Sequence, residues 1–250
     1  MFAHAHLAAI GWVTMMVVGL SYRLIPMMLP AAMPTGRTLA LSAVFLEVGL
    51  ALLLVTLLAG PSWIPLAAIL ITAGLVSFVV QVRRTLKHRL PRPPALPRRD
   101  WSTWQTHAAL LWLVIATGLG LALSVGVGPD WTLRVMWLYG TAGLIGFLAQ
   151  IVVGMQGRLV PLYAWYRAFA ARGAPPERAA NSLPSSSFAR AIFICWTAGV
   201  PLLTWGLAFE VTVAIRAAAL LLLAGVLTGA VYQIQMLRAA RTGSSVPSRR

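Results

Sequence analysis

Seven long apolar runs, separated by short polar or helix-breaking stretches, set the pattern of the chain; they lie near residues 3–28, 38–59, 64–86, 104–127, 132–157, 188–209 and 213–238. A hydrocarbon core about 30 Å thick needs about 20 apolar residues in a helix that rises about 1.5 Å per residue, and every run meets that length. Pro26, Pro30 and Pro34, then Gly60-Pro61, then Gly128-Pro129-Asp130 fall between runs, at the places where helices should break. The least marked boundary is at Glu210, where few polar residues separate the last two runs. The pattern predicts an all-α fold, a polytopic transmembrane bundle of seven spans.

Composition agrees. The 250 residues are 59% hydrophobic and 10% charged, with a mean hydropathy of +0.81, whereas soluble domains carry about 25% charged residues. Nearly all of the chain is consumed by the spans, which leaves no soluble domain. The formal charge of +15 raises nucleic-acid binding, but a basic patch needs a folded face to present it. Here 18 of the 20 cations fall on one side when the loops are numbered alternately, and only Arg134 and Arg216 fall on the other. That is the positive-inside distribution, and it excludes nucleic acid as the partner, the lipid bilayer taking its place. It predicts an outer, periplasmic N-terminus and a cytoplasmic C-terminus in a bacterial inner membrane. The first run lacks a basic leader and is too long for a signal peptide, so we expect it to be retained. LPRPPALPRRD reads as an extended cytoplasmic connector near anionic lipid, and residues 239–250 as a disordered tail. The single cysteine, Cys195, rules out an intramolecular disulfide and a cysteine-cluster metal site.

An internal repeat is the next signal. Residues 11–26, GWVTMMVVGLSYRLIP, run parallel to residues 146–161, GFLAQIVVGMQGRLVP, at a constant offset of 135, with matching Gly, Val, Val, Gly, Arg, Leu and Pro. Gly49 then pairs with Gly199, and Ala73-Gly74 with Ala224-Gly225, once about 15 extra residues are allowed after the fifth span. The unit is four helices. Residues 1–127 form the first copy, and 132–238 the second, which lacks its last helix. Four crossings return the chain to the same side, so the copies are parallel, related by an axis along the membrane normal; many transporters use inverted repeats instead. The shared glycines suit close helix packing as well as a cofactor.

Ionisable groups inside a bilayer are costly, and those that occur are functional candidates. His4 and His6 lie at the outer end of the first span; an i, i+2 pair on a regular helix points its rings about 160° apart, so both cannot ligate one metal there. Either a frayed first turn lets both converge on copper, or one faces the bundle as an axial haem ligand; the bland alternative is a loose terminal pair at the headgroups. Arg134 and Arg216 sit where haem propionates would emerge, and Met136 lies at the same depth as a second axial candidate. Snorkelling and packing are their plain alternatives. Glu47 is the acid predicted well inside a span. By depth, Arg23, Gln81, His107 and Gln150 are its candidate partners in an inner polar pocket, either structural or a proton-relay or quinone-head site. Arg23 and Arg158, repeat mates before a proline, read as helix-end caps or lipid-phosphate contacts. Trp63, Trp101, Trp104, Trp131 and Trp165 read as interfacial anchors. His88 falls in the basic loop. No nucleotide, zincin or nucleophile-elbow motif is present.

The stretch HAHLAAIGWVTMMVVGLSYRLIPMML resembles a helix of subunit I of cbb3-type haem-copper oxidases and, more loosely, of NnrS-type haem and copper membrane proteins. YGTAGLIGFLAQIVVGMQGRLVPLYAW is in the same style. The likeness covers about 30 residues at the N-terminus and about 25 in the fifth span. It implies haem b or copper near His4 or His6 and four-helix units repeated about the membrane normal. A catalytic subunit of that family is implied to have about twelve spans and six histidines; this chain has seven spans and three histidines within them, too few for an autonomous terminal oxidase. The expectation is a relative without the binuclear centre, acting in electron transfer, metal handling or NO-related physiology. The alternatives are a cofactor-free subunit of a respiratory or photosynthetic complex, and a small transporter using the Glu47 pocket.

Overall fold

The computed structural model describes residues 2–28, 31–88, 100–173 and 186–242. It is 92% helical without strands among the described residues, and seven of its helices are long and apolar enough to cross a membrane. Helix α1 covers residues 2–28: Phe2–His6 and Met15–Met28 are α-helical, and Leu7–Thr14 between them is wound as a π-helix. Helices α2 (Arg37–Ala59), α3 (Ile64–Lys87) and α4 (Trp101–Val125) follow. Helix α5 covers residues 129–172 and is built like α1, with Pro129–Thr141, a π segment Ala142–Ala149, and Gln150–Arg172. Helices α6 (Ser186–Ala208) and α7 (Thr212–Thr242) complete the chain. Leu58, Val213 and Val125 are 80%, 78% and 77% exposed, which only a hydrocarbon solvent makes inexpensive.

Two helices outrun their apolar cores. The fifth was expected to end near 157, but α5 continues through Pro161 to Arg172. Arg158, Arg167 and the aromatic residues there lower hydropathy without breaking a helix, and the helix ends where Gly173 takes a left-handed φ of 69°. Likewise α7 runs to Thr242, so residues 239–242 are helical and not part of a disordered tail. The rest of that tail, and the Pro-rich connector up to residue 99, lie outside the described residues. The faint boundary at Glu210 is a real turn: Glu210 has φ 58° and the Val211 N–H donates to the Gly206 carbonyl at 2.9 Å, a six-to-one closure of the α6 C-terminus.

By contact density the chain forms two units, Met1–Arg92 with Thr117–Thr132, and Pro93–Ala116 with Leu133–Arg250, so most of α4 groups with the second. Within the first unit, residues 2–14 of α1 rest on α2 and residues 15–28 on α3, and α2 pairs closely with α3. Within the second, residues 142–149 of α5 rest on α6, residues 150–172 on α7, and α6 pairs closely with α7. The π segments fall at equal positions under the offset of 135.

Glycine makes the pairings possible. A Cβ added to Gly49 would lie 2.8 Å from the Ile71 nitrogen, and one on Gly199 would lie 2.9 Å from Leu222. Gly74 abuts Leu46 and the Ser42 carbonyl, and Gly225 abuts Trp196. These glycine contacts between α2 and α3 have their counterparts between α6 and α7, in the register that the repeated glycines give.

Gly74→Val should therefore lower the detergent-solubilised stability by about 1–3 kcal/mol, because the added atoms meet backbone as well as the Leu46 side chain. Gly19, also repeated, has no atom within 4 Å of an added Cβ, so Gly19→Ala should melt at or above the parent temperature. Equal melting of Gly74→Val and the parent protein would contradict the α2–α3 packing.

Candidate functional site

At the start of α1 the two histidines differ. His4 is exposed and His6 is half-buried, as expected for residues about 200° apart around a helix. His6 Nδ1 lies 2.9 Å from the Phe2 carbonyl oxygen. A carbonyl only accepts, so Nδ1 carries the proton and Nε2 carries the ring's lone pair. That arrangement fixes the tautomer and ring orientation of metal-ligating histidines. The π segment begins at the next residue, and single π turns occur often at functional sites. Its widened turn is closed locally, since the Thr14 hydroxyl donates to the Ala9 carbonyl five residues back at 2.8 Å.

Arg134, Arg216 and Met136 all belong to the second unit; both arginines are exposed and Met136 is half-buried. The Arg134 guanidinium lies over the Phe209 ring, 5.4 Å from its centroid, so this cation has an aromatic partner within its own unit. Among the described residues no group of three His, Cys, Asp or Glu converges as a metal site.

The five candidates for an inner polar pocket separate into two groups. Arg23, Glu47 and Gln81 belong to the first unit, His107 and Gln150 to the second. Glu47 and Arg23 are both exposed and form no ion pair among the described residues, while Gln81 is buried and accepts the Thr38 hydroxyl at 2.6 Å. His107 is exposed beside Trp104, with ring centroids 6.1 Å apart. Gln150 is completely buried, in the row with Gly146 and Gly154, which abut Trp112 and Thr106 of α4. Neither end of its amide has a hydrogen-bond partner among the described residues.

The second unit contains a cavity of about 250 Å³, lined by α4, α5, α6 and α7. Gln105 and Trp196 are among its lining residues, 2% and 5% exposed, and both ends of the Gln105 amide and the Trp196 indole nitrogen are buried without partners among the described residues. Each such orphan costs about 1–3 kcal/mol unless something meets it. Gln156 and Gln233 also line the cavity and bond to each other, Nε2 of Gln233 donating to Oε1 of Gln156 at 3.1 Å. Among the described residues no Asp, Glu, Lys, Arg or His lines it. Reading the sequence for charged residues passes over such a site. The available signal was the mismatches of the repeat, Tyr22 against Gly157 above all.

Beside this cavity Arg158 ties α5 to the start of α4. Asp100 caps α4 by accepting the Ser102 N–H at 3.1 Å and the Thr103 hydroxyl at 2.7 Å. Arg158 pairs with the Asp100 carboxylate and donates to the Thr103 hydroxyl oxygen at 2.6 Å. Its repeat mate Arg23 has no such partner among the described residues, so the shared arginine serves as a clamp in one copy.

Fold and spans together define an integral membrane protein of the polytopic α-helical class. The chain matches no family model, no curated protein and no solved structure.

Asp100→Asn should keep the cap and lose the ion pair, whereas Asp100→Ala should lose both and cost about 1 kcal/mol more in thermal or denaturant unfolding. Identical stability of the two variants would show that the carboxylate does not cap α4.

Proposed function

We propose that this chain is an integral membrane haem-binding protein with His6 as an axial ligand, acting in electron transfer, metal handling or NO-related physiology. The carrying observation is the His6 ring, half-buried at the head of a π segment, with its Nδ1 proton committed to the Phe2 carbonyl. In that tautomer Nε2 carries the lone pair, which is the atom an axial imidazole presents to iron. The resemblance of HAHLAAIGWVTMMVVGLSYRLIP to haem-copper oxidase subunit I supports the same reading. Haem is favoured over copper because a copper ion held by protein donors alone needs several that converge, whereas haem brings four nitrogens and asks for one or two. A bound haem would supply one-electron chemistry; His6 would hold and orient it.

A redox difference spectrum of the purified protein tests this. The expected result is a Soret band that shifts on reduction, is lost in His6→Ala and persists in His4→Ala. A colourless protein, or a band that survives His6→Ala, would falsify the assignment.

One observation favours a second reading, a cofactor-free subunit of a larger membrane complex. Glu47 is exposed among the exposed Val44 and Val48 on an apolar face of α2, and a carboxyl group there calls for a partner. In this reading a neighbouring subunit covers that face, and Glu47→Leu lowers the apparent mass of the assembly on native gels of solubilised membranes. An unchanged mass contradicts it. The same exposure gives the transporter reading no Glu47 pocket to work with.

A further inference from the structure

The two units share a plan, and their differences concentrate in one place. In the first unit the Tyr22 hydroxyl donates to Ser42 Oγ at 2.7 Å, since Ser42 spends its own proton on the Leu39 carbonyl. The Tyr22 ring meets Phe78 edge-on, with centroids 5.5 Å apart, and Phe78 is 1% exposed. By the repeat register the matching residues of the second unit are Gly157, Ile192 and Gly229. The two rings of the first unit have no counterpart in the second, and the cavity of about 250 Å³ lies among those three residues.

The cavity opens on one side at the exposed Gln156, Val226 and Ala230, so a molecule dissolved in the bilayer can enter it, and helix walls left without a neighbour there lose packing contacts. One matching position carries a larger residue, Trp196 in place of Leu46; its ring lines the cavity, and its buried indole N–H has no hydrogen-bond partner among the described residues. Helix α4 adds the Gln105 amide, buried and unpartnered in the same wall. Where the first unit has the Tyr22–Ser42 hydrogen bond and the Phe78 ring, the second has open space beside an unpartnered amide and indole.

We propose that this cavity binds a neutral, lipid-soluble ring compound whose carbonyl oxygen accepts hydrogen bonds from Gln105 Nε2 and Trp196 Nε1, two buried donors that a small side-chain rotation brings to its surface. The absence of charged residues from the lining selects against phosphates and carboxylates, which would enter without a counter-charge. Its size, just below the about 300 Å³ at which drug-sized pockets begin, suits one ring and excludes a porphyrin. Gly229, where an added Cβ would meet only the end of Ile192 at 3.8 Å, leaves room beside the α7 backbone for a ring to lie. The linked amides of Gln156 and Gln233 form the polar rim. The site is separate from His6 and does not rest on the haem reading.

The test uses the full-length protein in detergent, titrated with decyl-1,4-benzoquinone by calorimetry and by thermal shift. Decylbenzene and 4-decylbenzoate serve as the ring without a carbonyl and the ring with a charge. Saturable binding is expected for the quinone, with at least tenfold weaker binding of both controls. Gln105→Leu should weaken it at least tenfold. Gly229→Phe restores the residue of the first unit; an added Cβ there meets only the end of Ile192, at 3.8 Å. That variant should lose binding while melting at or above the parent temperature. Three results overturn the proposal: no saturable binding, equal binding of decylbenzene, or undiminished quinone binding by Gly229→Phe. Should Gly229→Phe fail to fold, Gln105→Leu decides, and retained affinity in that variant overturns the proposal.

Discussion

Hydrocarbon offers no hydrogen-bond partner to a backbone N–H or C=O, so each helix crossing it must satisfy those groups within itself. The described chain is helical along its apolar lengths, and several of its departures from regular α-helix carry a local remedy. Thr14 reaches back to the carbonyl of Ala9 across the first π turn. Asp100 takes the amide of Ser102 at the head of α4, and the left-handed Glu210 lets Val211 close the end of α6. Polar side chains then become conspicuous where no remedy is visible, as at Gln105, Gln150 and Trp196. In water these would be unremarkable; in a bilayer they are the first places to look for a ligand.

The same solvent removes the usual drive for helices to associate, because lipid tails are as apolar as leucine side chains. Close approach takes over that role, and it is glycine that permits it. Gly49, Gly74, Gly199 and Gly225 bring α2 onto α3 and α6 onto α7 in matching register, while Gly146 and Gly154 bring α5 onto α4. A duplicated three-helix motif is thereby kept rigid, which frees individual positions to diverge. The first unit keeps an aromatic core of Tyr22 and Phe78. The second has exchanged those rings for glycine and surrounded the space with amides and an indole.

Span number and approximate span limits were legible because hydrophobic length carries them, and the repeat because its glycines are constrained by backbone approach. Helix ends were less so. Past Gly157, hydropathy falls although nothing stops the helix before Gly173. The depth of Glu47 could be counted along the chain, but the face it occupies could not, since α2 is apolar all round and a rotation of half a turn moves a residue from interior to lipid. His4 and His6 were separable by helical angle alone, but only the structure shows which one is tethered. Gln105 and Trp196 escaped notice because neither carries a charge, and what marks them is the missing partner.

The account stands on lipid being the solvent of the exposed faces, and accessibility measurements on α2 address that directly. Nitroxide labels placed one at a time at Val44, Val48 and Val55, which are exposed, and at Leu46, Leu50 and Leu53, which are buried, would report contact with oxygen and with a water-soluble nickel chelate. In reconstituted bilayers the first three should collide frequently with oxygen and rarely with the chelate, and the second three rarely with either. Frequent collision of the chelate with labels at 44, 48 and 55 would place that face in water and contradict the account.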